Sequence, residues 1–117
     1  EIRAFNSALS TACIFDELQV GVACLGAIEY AFADISAIIG RSVVKHNWLS
    51  EQELCHYKLH TKLDRRHAAE FFEIVEDDWA DSDKRYLIKQ GIEMGIYCFN
   101  RMYGDLHQRA LKLLAGS

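Results

Sequence analysis

Proline is absent from this 117-residue chain and glycine occurs only 7 times. A collagen-like or low-complexity chain is thereby excluded, and a turn-dense all-β sandwich is disfavoured. Positive charge is not in excess. The net charge is −4 and the isoelectric point about 5.7, which leaves no electrostatic footprint for nucleic acid and no polybasic patch for a membrane. Glu29 and Asp34 interrupt the longest apolar stretch, so no run is expected to reach the roughly 18 residues of a transmembrane helix. Glu1-Ile2-Arg3 is not a basic segment leading into an apolar one, so no signal peptide is expected, and the missing initiator Met suggests a fragment or a processed product. Cys13, Cys24, Cys55 and Cys98 show no Cys-x-x-Cys spacing, which leaves a zinc knuckle or a thioredoxin-like motif unsupported. Four buried, reduced thiols in a cytoplasmic protein are expected instead.

What is present is a helical pattern. Half of the residues (50%) are hydrophobic, enough for a core in a chain the size of one ordinary domain. From about Asn6 to Lys45, apolar residues such as Leu9, Val22, Leu25, Ile28 and Phe32 recur at three- and four-residue steps, with a soft break between Thr11 and Asp16. Gly21, Ala23, Gly26, Ala27, Ala31 and Ala33 make this stretch rich in small side chains, which admit a close neighbour or a ligand. His46 to Leu49 form a turn candidate. Ser50-Glu51-Gln52-Glu53 is a capping box opening a second helix that runs to about Val75. Acidic residues from Glu76 to Asp83 mark a loop, and Ser82 is a candidate cap for a third helix ending near Leu114. The expected fold is all-α, an antiparallel helical bundle or part of one.

Chemistry concentrates on the second helix. At about 100° per residue, Asp64 lies about +40° and His67 about −20° from His60, so the three side chains share one stripe roughly 60° wide. Two imidazoles and a carboxylate suit Fe(II), Mn(II) or Zn(II). Glu29 sits among Leu25, Gly26, Phe32 and Ala33 on an apolar face, where a carboxylate must be protonated, paired or metal-bound. With the turn near Leu49, Glu29 lies 20 residues before it and His67 18 after it, a height difference of only about 3 Å. A competing Glu-x-x-His pair, Glu53 and His56, fails this test: Glu53 is roughly 24 Å of helix out of level with Glu29. His56 is expected at a pocket or the surface. Taken alone, the His-Asp-His stripe is also compatible with a solvated face on which Asp64 pairs with Arg65 or Arg66.

A Glu in a small-residue-rich helix, followed about thirty residues on by His-x-x-x-Asp-x-x-His, resembles the haem-oxygenase-like diiron oxidases and oxygenases. That fold is shared with thiaminase-type hydrolases and the pyrroloquinoline-quinone synthesis oxidase. The resemblance spans about Leu18 to Trp79. It implies that Glu29 is a bridging carboxylate and that His60, Asp64 and His67 hold the second iron. It also implies two Fe(II) ions (Mn possible), with O2 and a small fatty-acid- or amino-acid-like substrate as reactants. The family's first iron takes a further Glu and His from an earlier helix. Glu1 to Glu17 contain no His, so the chain resembles the C-terminal half of such a domain, partnered by its N-terminal half or by a second copy. Neither nucleic acid nor membrane is an expected partner. A metal-free enzyme of the same fold, using Cys24 or Cys98, and a non-catalytic helical interaction module remain as alternatives.

Overall fold

The computed structural model describes residues 2–116, so Glu1 lies outside the described residues. Four α-helices make the fold: α1 (Ile2–Ile14), α2 (Leu18–Lys45), α3 (Cys55–Ile74) and α4 (Ser82–Ala115), with a short 3-10 turn at Asp77–Ala80. No strand occurs among the described residues, and the fold is all-α.

The local chemistry explains the boundaries. The soft break falls at residues 15–17, where the amides of Phe15 and Asp16 both turn back to the Thr11 carbonyl. Asn47 takes a left-handed φ of 56° in the turn after α2, a conformation Asn tolerates better than most residues. The capping box forms: Glu53 Oε2 accepts from the Ser50 amide (3.0 Å) and hydroxyl (2.6 Å). Yet it closes a separate turn, and α3 begins only at Cys55. Leu54 leaves helical geometry (ψ 59°) to bury itself, its Cδ2 lying close to where a Gly40 Cβ would stand, so tertiary burial overrides the local start signal. Asp81, not Ser82, caps α4, with Oδ1 accepting from the amides of Asp83 (2.8 Å) and Lys84 (3.2 Å).

Consecutive helices run antiparallel, and α2 is the central rod. Gly26 meets Phe71 and Phe72 while Gly40 meets Leu54 and Tyr57, so α3 descends along α2. Gly91 meets Val20 and Gly95 meets Cys24, so α4 climbs a different flank of α2 in parallel. The N-terminal helix α1 joins both through Ala12 on Gly21 and the Phe5–Phe99 ring contact. Small residues dominate the deepest core: Ala12, Ala23, Ala27 and Ala33 are almost fully buried. Several large apolar residues of the periodic stripes, among them Leu18, Leu59, Ile74 and Leu113, stay more than half exposed. Where glycine brings two rods together, as at Gly91 on Val20 and Gly95 on Cys24, no larger side chain fits between them.

Two expectations are corrected. By length and composition α2 is apolar enough to cross a membrane, because two carboxylates in 28 residues do not lower its hydropathy sufficiently. Here its small-residue face is covered by α3 and α4. Of the four free thiols only Cys24 is buried, at the packed face of α2; Cys13 and Cys55 are exposed and Cys98 is intermediate. The molecule is elongated, 52 × 34 × 19 Å, with a radius of gyration of 16.6 Å against about 13 Å for a compact chain of about 100 residues. The last ten described residues, all on or just after α4, are exposed.

Candidate metal centre

Packing of α3 on α2 makes the site. Asp64 faces α2 and is fully buried, although Arg65 and Arg66 flank it in sequence. Arg65 instead pairs with Asp34 and Arg66 with Glu70, both at the surface. The solvated-face arrangement of Asp64 is therefore not the one observed. Asp64 Oδ1 takes its hydrogen bond from His60 one turn earlier, with Nδ1 at 2.8 Å. Its other oxygen, Oδ2, is buried with no hydrogen-bond partner. Leaving such an acceptor unmet is expensive in free energy, so the position calls for a proton or a cation.

Glu29 and His67 stand beside Asp64. Ligand atoms of Glu29, Asp64 and His67 lie within 4.8 Å of one another. His67 Nδ1 is 3.8 Å from Glu29 Oε2, and both side chains are partly open to solvent. Burial, the Asp64 charge and a proton that the Glu29 and Asp64 carboxyls are placed to share raise the Glu29 pKa above the usual carboxylate range, partly offset by His67 and His60. A protonated Glu29 can donate to Asp64; with both ionised, the two acceptors repel and only a cation satisfies them.

The chain matches no protein-family model, no curated protein and no solved structure. The site therefore rests on its own geometry. Three of the four residues singled out from the sequence, Glu29, Asp64 and His67, converge. His60 stands behind Asp64 and orients it, outside the three-ligand cluster. His56 is exposed and its ring lies 4.2 Å from that of His60, while Glu53 is occupied in the Ser50 turn.

Sequence reasoning did not single out the pocket beside the cluster. A cavity of about 210 Å³ has Glu29 in its wall, with Phe5, Phe32, Phe99, Met102 and Tyr103 among its lining residues. Phe32 stands edge-on to both Phe99 and His60, joining pocket and cluster. The Tyr103 phenol is pushed up by burial, so it stays a neutral donor. Aromatic residues on α1, α2 and α4 with no common local spacing build this pocket, and only the tertiary fold gathers them. The thiol alternative fares differently. Burial and the neighbouring Cys13 and Cys98 raise Cys24 to about 11, which disfavours the nucleophilic thiolate near neutral pH.

Proposed function

We propose that this chain provides part of a non-haem, haem-oxygenase-like diiron oxidase or oxygenase site, acting with O2 on a small organic substrate. The observation that carries the reading is the buried Asp64, one of whose oxygens lacks a partner, clustered with Glu29 and His67. Two carboxylates and an imidazole fit Fe(II) or Mn(II), and three protein donors leave coordination positions open. Bound iron would supply the activation of O2. Glu29 and Asp64 hold the compensating negative charge, and His67 adds a neutral donor. His60 fixes the Asp64 carboxylate, as partners of metal-binding carboxylates do. The cavity next to Glu29 receives the apolar part of the substrate and keeps water from it, with Tyr103 as a hydrogen-bond donor. The remaining ligands of the first iron would come from another helix or chain, the N-terminal half or a second copy. The cytoplasm, reducing and iron-supplied, is the proposed compartment.

Anaerobic titration with Fe(II), and with Mn(II) followed by its paramagnetic signal, tests the reading. The unsubstituted chain is expected to bind one ion. Glu29→Gln, Asp64→Asn and His67→Ala are each expected to weaken binding at least tenfold. Equal binding by all four proteins would overturn the proposal.

A further inference from the structure

A second cavity, of about 360 Å³, opens on the same α2/α3 seam, nearer the turn that joins the two helices. Ser36 lines it and lies 7 residues, or about 10 Å of helix, beyond Glu29. Its composition is unlike that of the pocket beside Glu29. The rim carries Arg41, Lys45 and Lys58 against a single acid, Glu51. Lys58 Nζ donates to the Glu51 backbone carbonyl (2.7 Å), and among the described residues no carboxylate pairs with it. Among the described residues, no ion pair neutralises Arg41 or Lys45, which stand one turn apart on α2. The walls are apolar, from Ala37, Val44 and Leu54, and Gly40 lets Leu54 and Tyr57 pack close beside it. Ser36 is completely buried, and its hydroxyl has no hydrogen-bond partner. Ser36 is among the residues lining the cavity, and its unmet hydroxyl favours a ligand that brings a polar group to it.

We infer that this cavity binds a small organic acid: its anionic head at the Arg41–Lys45–Lys58 rim, its apolar body against Val44 and Leu54, and an oxygen acceptor at its inner end hydrogen-bonded to Ser36. Three cations around one mouth favour an anion over a neutral or cationic ligand. The walls exclude a bare inorganic anion as the best occupant, because it would leave apolar surface and Ser36 unmet. This site involves no metal and stands whether or not the Glu29 cluster binds one.

Amide chemical shifts of the isotope-labelled chain, followed in the presence of a metal chelator, test the inference. The probes are hexanoate, 5-oxohexanoate, hexanol and hexylammonium. Hexanoate is expected to shift Ser36, Gly40 and Leu54 and to bind at least tenfold more tightly than hexanol or hexylammonium. The Arg41→Ala/Lys45→Ala double variant, altered only at exposed side chains, is expected to lose that preference while binding hexanol unchanged. In the unsubstituted chain 5-oxohexanoate is expected to bind at least as well as hexanoate, and in Ser36→Ala to bind less well. Equal binding of hexanoate and hexanol, a preference that survives the double variant, or shifts confined to other regions would overturn the inference.

Discussion

Against α4, the central helix presents backbone carbonyls; against α3, it presents glycines to the side chains of the other helix. A methyl group on Gly95 would stand 2.7 Å from the Cys24 carbonyl oxygen, and one on Gly91 would collide with the Val20 carbonyl. At these two positions the seam leaves no room for a side chain. On the α3 flank the glycines meet flexible side chains instead, Phe72 at Gly26 and Leu54 at Gly40. That more yielding flank holds Asp64 and Ser36, with the two buried polar oxygens that lack a partner, and Glu29 beside them. The tight seam stabilises the fold, and the loose seam keeps unmet polar groups at which a ligand is worth more than a neighbouring residue.

Breaking the tight seam has the largest expected effect. Gly91→Leu should destabilise the protein by about 3 kcal/mol or more, since backbone on backbone cannot yield as a rotamer does. Urea denaturation checks this, and a near-native midpoint would show the seam to be slack. The same seam gives a pH signature next in size. The Cys24 thiol is held up at about 11 by burial, whereas the unfolded chain releases that proton near 9. Its stabilising contribution is present below pH 9 and is lost as pH rises to 11, a total of about 2–3 kcal/mol. Cys24→Ala should flatten the alkaline limb of Tm against pH.

In the loose seam the sign reverses. Asp64→Asn should stabilise the metal-free protein by about 1 kcal/mol, because an amide can donate to Glu29 where a carboxylate cannot. It should do so while abolishing ion binding, and a fall in metal-free stability would mean that the two carboxylates are not strained. Smallest is the control: Gly104 has open space around it, so Gly104→Ala should add about 0.5–1 kcal/mol through helix propensity alone.

Much of this was legible in the pattern of residues. The helices were written in three- and four-residue steps, and the level match of Glu29 with His67 followed from counting outward from the turn at Leu49. What spacing could not show was which small residues touch. Gly91 and Gly95 matter only because Val20 and Cys24 lie across from them. The capping box at Ser50 was correctly formed and still did not start the helix, because Leu54 gained more from burial. His60 shared the stripe with its neighbours, yet it bonds to Asp64 because residues four apart on a helix are already within reach.

The sequence by itself determined the helices, their antiparallel order, and the face on which His60, Asp64 and His67 stand, since these depend on interactions within four residues or on chain length. Only the tertiary structure decided that Asp64 is buried, that one of its oxygens is unmet, and that Arg41, Lys45 and Ser36 share a cavity. Burial and shared cavities depend on how closely two rods approach, and that distance is set jointly by side chains far apart in the chain.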